Sequence, residues 1–361
     1  MLDHTRRSAT EAATDSAESP QVPTRRAACR DILGVVALSA LPHAAAGCAS
    51  SATAEKHERR PAGDRTPMPT IVSTWNHGLP ANEAGLDILA RGGAAIDAVE
   101  AAGRVVETDC PDRTVGLGGM PDRDGFVTLD AAVMTDDNRA GSVVFVRGVA
   151  HPVSLARLVM ERTPHVMLAG DGARDFARSQ GIEVLPDARS PEADRAWREW
   201  LRERQYAPKV NVENHDTISI LALDAAGRVA AASTTSGLAF KMHGRIADSP
   251  VIGAGIYVEP KVGGAVCTGL GEMVLRTLGA FVATDAMRRG ASPQDACEEA
   301  IERIVLKNGI DPSTYQVGML ALGHDGRVGA FAVQKGFNYA VGRLAGPSRT
   351  NELLDARCKL R

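Results

Sequence analysis

The chain has 361 residues, a formal net charge of −3 and 44% hydrophobic residues, enough apolar material for a substantial core in one large domain or two smaller ones. The near-balanced charge offers no broad basic field for nucleic acid, and an aromatic content of only 4% argues against a base-stacking platform or an aromatic-lined sugar groove. Chemistry on a small molecule is the better starting point.

Residues 1–48 read as an export signal. Arg25-Arg26 precede the apolar run 32–40, and small residues continue to Ala44-Ala45-Ala46-Gly47-Cys48. The run falls short of the about 20 residues a membrane span needs. The paired arginines suggest the twin-arginine route, and Ala46-Gly47-Cys48 resembles a lipoprotein cleavage box. The box departs from the pattern at Ala45, where a larger aliphatic is usual. Cys48 is therefore a candidate lipid anchor, with a discarded or buried thiol as the alternative, and the expected location is the periplasm or a membrane-anchored lipoprotein. Residues 49–69 are polar and poor in aliphatics and are expected to form a flexible tether.

Beyond the tether, Ile71-Val72 predict a buried strand ending at Trp75-Asn76-His77-Gly78. Helices follow over 82–90, stopped by Gly92-Gly93, and over 94–107, where Ile96, Val99 and Val105-Val106 share one stripe. After a glycine-rich loop at 116–125, strands are expected over 126–129 and 142–146, and helices over 152–162 and 172–180. From 187 to 214 the composition turns charged, as in a mobile linker. In the second half, Leu221-Ala222-Leu223 and Gly227-Arg228-Val229, three residues apart, recur as Leu320-Ala321-Leu322 and Gly326-Arg327-Val328. Each unit predicts a hairpin with an Asp/Gly turn. Helices are expected over 271–289 and 293–307, and such strands covered by helices suggest layered sheets.

Cys29 lies within the signal, and Cys48, Cys110, Cys267, Cys297 and Cys358 form no CxxC pair or Cys/His cluster, so neither a metal site nor a cofactor is expected. A disulfide between distant thiols stays open in an oxidising compartment. The glycine loop lacks the Gly-Lys-Ser/Thr ending of a phosphate loop, Asp122–Gly125 lacks an EF-hand pattern, and no Gly-x-Ser-x-Gly elbow occurs.

The chemical signal is His215-Asp216-Thr217 ahead of the apolar run 218–223. An internal threonine hydroxyl has no base of its own, whereas an N-terminal threonine carries an α-amine that takes its proton and titrates at about 7.7–8.0. A cut before Thr217 would supply attacker and base in one residue. By itself, Asp-Thr before a strand is more often a turn or cap, Arg245 a surface arginine, Asp248-Ser249-Pro250 a turn initiator and Trp75 a core residue. Their joint order and spacing outweigh those duller readings.

Taken together, Ser73-Thr74-Trp75-Asn76, Thr163-Pro164-His165-Val166-Met167-Leu168, Asn214–Ile218, Ser233–Gly237, Lys241–Arg245, Asp248-Ser249-Pro250, Gly253-Ala254-Gly255 and Thr268-Gly269 resemble the glycosylasparaginases (aspartylglucosaminidases), self-cleaving N-terminal-nucleophile hydrolases. The resemblance spans about 71–341. It implies an α+β fold in four αββα layers, cleavage between Asp216 and Thr217 with His215 as a neighbour, an α chain over 70–216, a β chain over 217–361, and assembly into α2β2. It implies Thr217 as nucleophile and base, Thr235 supporting its hydroxyl, and an oxyanion hole from the Thr268 hydroxyl and the Gly269 N–H. Arg245 would hold the substrate's α-carboxylate, Asp248 its α-ammonium, and Trp75 a wall of the site. The implied reaction splits the side-chain amide of N4-(β-N-acetylglucosaminyl)-L-asparagine. Met120, Leu270 and His77 depart from the pattern. A plant-type asparaginase or isoaspartyl dipeptidase is the rival enzyme, disfavoured because that group usually has glycine before its threonine, and an uncleaved exported binding protein is the rival from another class.

Overall fold

Strand β5 (Ile218–Leu223) is buried along its whole length, and it fixes the architecture around it. Ile218, Ile220 and Ala222 enter one apolar cluster while Leu221 and Leu223 enter another, as the two-residue alternation of a strand buried on both faces requires. The computed structural model describes residues 67–110, 113–203 and 217–360. The expected export signal, all but the last residues of the expected tether, and His215-Asp216 lie outside the described residues.

Around β5 the larger sheet has eight strands. Their order is β12 (Ser348–Asp355), β11 (Asn338–Ala345), β1 (Thr70–Thr74), β5, β6 (Val229–Thr235), β2 (Leu129–Thr135), β3 (Ala140–Val146) and β4 (Met167–Ala169). Neighbours are antiparallel except β3 and β4. The smaller sheet runs β13 (Arg357–Cys358), β10 (Val328–Ala332), β9 (Val317–Gly323), β8 (Gly263–Gly269) and β7 (Ile256–Glu259).

Helices α1 (Gly78–Ala90), α2 (Ala95–Thr108) and α3 (Pro152–Arg162) cover the larger sheet, and α7 (Gly279–Arg288) and α8 (Pro293–Asn308) cover the smaller one. Three apolar clusters fill the three seams of this αββα stack. Val99 and Val106 of α2 meet Ile220 and Ala232 in the first. Leu221 and Leu223 meet Val266, Leu320 and Leu322 between the sheets. Met319 and Val317 meet Ile301 and Ile304 of α8 in the third. Gly264 lets the sheets close, since a Cβ there would stand 3.1 Å from Leu221 Cδ2.

Both hairpins of the sequence echo form, one in each sheet. In the first, Asp224 Oδ1 accepts the amides of Ala226 and Arg228, and Gly227 has φ 77°. In the second, Asp325 Oδ1 accepts the Arg327 amide and Gly326 has φ 80°. The aspartate closes the turn and the glycine supplies the left-handed residue.

Strands β4, β7, β8, β11 and β12 are not expected from sequence, and three further stretches differ from what is expected. Residues 126–128 are not strand, and β2 starts at Leu129, because the Phe126 amide is taken by Asp122 Oδ1 and its carbonyl by the Asp122 amide. The single helix expected over 271–289 is two, α6 (Gly271–Leu275) and α7. Leu278 between them has φ 54°, and the first α7 amides go to the Gly253 and Ala254 carbonyls. Within the expected linker, residues Pro191–Glu203 form helix α5. Ser190 Oγ accepts the Ala193 amide, Pro191 opens the helix, and Trp200 stacks on Phe240 with centroids 5.2 Å apart.

Leu221→Ala, which empties the seam between the sheets, should cost about 2–5 kcal/mol. Chemical denaturation measures it, and a loss well under 1 kcal/mol would show that the sheets do not lock through this side chain.

Candidate active site

Thr217 heads β5 in the middle of the larger sheet and is buried. Its carbonyl oxygen accepts the hydroxyl of Thr74 at 2.9 Å, from the end of β1, and that of Thr268 at 3.2 Å, from the end of β8 in the other sheet. Thr74 Oγ1 also accepts the Ser219 amide at 3.0 Å, and Ser219 Oγ donates to the Cys267 carbonyl at 2.7 Å. Both sheets therefore grip the backbone on which the Thr217 hydroxyl is mounted.

That hydroxyl lies 3.5 Å from Ser249 Oγ. The β5–β6 register pairs Ile218 with Thr234, which brings Thr235 opposite Thr217. Thr235 Oγ1 donates to the Thr114 carbonyl at 3.3 Å and accepts the Gly237 amide at 2.9 Å. Trp75, held at φ 66° against Phe337, donates its indole N–H to Thr268 Oγ1 at 2.9 Å, so it stands behind Thr268. Gly269 has φ 102°, and a Cβ there would come within 2.4 Å of the Gln316 carbonyl oxygen. Only glycine fits.

Thr217, Thr235, Arg245, Asp248, Ser249 and Gly269 line one pocket, with Asp130 and Gly237. Its volume is about 10 Å³, roughly room for one water. Two charged pairs flank it. Arg245 forks onto Glu272 at the start of α6, Nε to Oε1 at 2.8 Å and Nη2 to Oε2 at 2.7 Å. Burial pushes the Glu272 carboxyl up, but its bonds to Arg245 outweigh this and hold it below the ordinary value. Lys241 is fully buried, 4.0 Å from Asp130, and donates to the Ser236 carbonyl at 2.9 Å. Burial drives both members of this pair toward their neutral forms.

Asp248 is the odd group. It is buried, and its Oδ2 has no hydrogen-bond partner among the described residues. Burial pushes its carboxyl up to about 6, with Glu272 adding to the rise and Arg245 opposing it. A buried carboxylate oxygen left without a donor is costly unless a cation arrives to meet it.

The profile of the asparaginase family matches residues 74–346. The chain is 50% identical over 279 residues to an N(4)-(β-N-acetylglucosaminyl)-L-asparaginase of Elizabethkingia miricola, across 76% of this chain and 82% of the relative. The chain belongs to the asparaginase family. Similarity extends to the mouse N(4)-(β-N-acetylglucosaminyl)-L-asparaginase, 36% identical over 66% of this chain and 78% of the relative. It also reaches an isoaspartyl peptidase of Salmonella typhimurium, 39% identical over 68% and 80%.

In this asparaginase-family chain the residues singled out from sequence divide into three groups. Thr217, Thr235, Arg245, Asp248 and Gly269 share the pocket wall. Thr268 and Trp75 adjoin it in line behind the Thr217 carbonyl. His215 and Asp216 are outside the described residues. Sequence reasoning assigned no role to Ser249, Lys241, Glu272, Thr74 or Asp130. Ser249, Lys241 and Thr74 sit inside motifs of the family resemblance, and Glu272 follows Thr268-Gly269 by three residues. Asp130 carried no signal, because only the strand pairing of Asp130 with Thr235 brings it to the pocket.

Since the Asp248 carboxyl is raised from 3.8 to about 6, its contribution to stability is full below about 4 and is lost as pH rises through about 6. Carboxyl-carbon NMR, with Asp248→Asn identifying the resonance, should show a titration near pH 6. A midpoint at the ordinary value would mean that water reaches this carboxylate.

Proposed function

We propose that the chain is a self-cleaving amidohydrolase that releases aspartate and a glycosylamine from N4-(β-N-acetylglucosaminyl)-L-asparagine. The observation that carries this reading is the pairing of a guanidinium and an unpartnered buried carboxylate oxygen on the wall that also holds the Thr217 hydroxyl. Such a pair complements a free amino-acid head group, α-carboxylate to Arg245 and α-ammonium to Asp248. Similarity to relatives named for this activity supports the same choice of substrate.

Maturation begins with attack of the Thr217 hydroxyl on the Asp216 carbonyl, and the peptide bond gives way to an ester. Water then hydrolyses the ester and leaves Thr217 with a free α-amine. The pocket beside Thr217, about 10 Å³ in the unbroken chain, is smaller than an asparagine head group and has to widen before substrate binds.

In the mature enzyme the α-amine takes the Thr217 hydroxyl proton as the oxygen attacks the substrate's side-chain carbonyl. The Thr268 hydroxyl and the Gly269 amide receive the oxyanion, and Thr235 supports the attacking oxygen. Thr268 accepts from Trp75 while donating to the Thr217 carbonyl, so the indole holds its oxygen in place while its proton swings to the oxyanion. The amine's proton leaves with the glycosylamine, and water releases aspartate from the acyl ester. The proposal includes export through residues 1–48 and assembly of processed chains into α2β2.

Purified wild-type protein should give two fragments on a denaturing gel, the smaller beginning at Thr217-Ile218-Ser219-Ile220, and Thr217→Ala should stay in one piece. Full activity in an unbroken chain would end this reading in favour of another nucleophile, and an intact inactive chain would favour a binding protein. The isoaspartyl peptidase relative supports a second reading, and relative kcat/KM on GlcNAc-asparagine, asparagine and β-aspartyl dipeptides decides between them. GlcNAc-asparagine should lead, and a decisive preference for β-aspartyl dipeptides would overturn that order. Arg245→Lys, which loses the fork, should raise KM about tenfold, the equivalent of about 1.4 kcal/mol.

A further inference from the structure

The head-group reading gives Glu272 no task. Glu272 is half-exposed, yet it takes Nε and Nη2 of Arg245 in two short bonds. This side-on grip fixes the guanidinium plane and turns Nη1 toward Gly237, where a Cβ would stand 3.3 Å from it. Gly237 lines the pocket of Thr217. Glu272 also sits next to Gly271, whose missing Cβ would lie 2.2 Å from Asp248 Oδ1, so the start of α6 is pressed against Asp248 as well.

Arg245 and Asp248 attract each other in a poorly screened site. Joined, they would satisfy one another and compete with a zwitterionic substrate for both of its anchors. Among the described residues Asp248 Oδ2 nevertheless has no hydrogen-bond partner, and the Arg245 fork points at Glu272. We propose that Glu272 is a positioning residue for head-group recognition: it aims Arg245 into the pocket and, by offsetting its charge, keeps it from collapsing onto Asp248. The inference rests on the head-group reading above and deepens it.

The charge of Glu272 has a second effect. It adds to the rise of the Asp248 carboxyl, while Arg245 opposes that rise. The buried Cys267 thiol of β8 also faces Asp248, and the Asp130–Lys241 pair and the Thr217 α-amine of the processed chain complete the titratable surroundings. Removing only the Glu272 charge leaves the Arg245 effect unbalanced. The acid limb of kcat/KM that belongs to Asp248 then moves to lower pH.

The test compares processed wild-type enzyme with Glu272→Gln and Glu272→Asp, using calorimetric binding of L-aspartate, the product, and the pH dependence of kcat and KM on GlcNAc-asparagine. Glu272→Gln should weaken aspartate binding and raise KM by roughly tenfold, change kcat by less than about threefold, and shift the acid limb below its wild-type position. Glu272→Asp keeps the charge but withdraws it by one methylene. It should leave the limb in place while weakening aspartate by roughly threefold, and this arm stands by itself if Glu272→Gln does not mature. Unchanged aspartate affinity with an unmoved limb, or a loss confined to kcat, overturns the assignment of Glu272. Wild-type enzyme that binds no aspartate overturns the head-group reading, and this inference with it.

Discussion

Everything at the site depends on how the Thr217 carbonyl is held. Two hydroxyls reach it from opposite sheets, Thr74 from the larger and Thr268 from the smaller, and the Ser219–Cys267 bond ties the same strands one step further in. A side chain on a surface loop would be positioned no better than its loop. Here the residue is fixed by the packing of two sheets whose shared seam is filled by Leu221, Leu223, Val266, Leu320 and Leu322. Precision at the hydroxyl is thus drawn from the apolar interior.

The charges around that hydroxyl follow a different logic. A stable interior neutralises or pairs its ionisable groups. Glu272 and Arg245 obey this rule, and Lys241 and Asp130 obey it with the help of backbone carbonyls. Asp248 does not. Its unsatisfied oxygen is a local loss of stability placed beside Thr217, as expected where a protein reserves an anchor for a ligand.

Much of the layering was legible because period and punctuation agree with the packing. The continuous apolar run 218–223 announced a strand buried on both faces, and the Asp/Gly turns announced both hairpins. Proline at the start of α3 and of α8 marked two helices at their true beginnings. What stayed hidden depended on contacts between distant segments. No local pattern reveals that the Gly253 and Ala254 carbonyls receive the first amides of α7 and so split a helix that reads as continuous. The Ser190-Pro191 start of α5 was present in the sequence, but the charge of the surrounding stretch masked it. The site shows the same division. Thr217, Arg245 and Asp248 were visible through ordered motifs, whereas Asp130 and Glu272 gained meaning only from the partners that the fold brings to them.

The two echoed hairpins end differently. Counting back four residues from each Leu-Ala-Leu triplet gives Thr217 in one and Gln316 in the other. Gln316 is buried, and its side-chain oxygen accepts the amides of Val317 and Gln334 while its nitrogen bonds the Gln334 and Lys335 carbonyls. One strand mouth is caulked by an amide that spends all its bonding capacity on the neighbouring main chain. Its counterpart ends in a short side chain that cannot reach far enough to seal the opening, so the twin motif supplies a built-in control: the same local scaffold yields either a plug or an unsealed edge, according to the single residue that stands at the threshold.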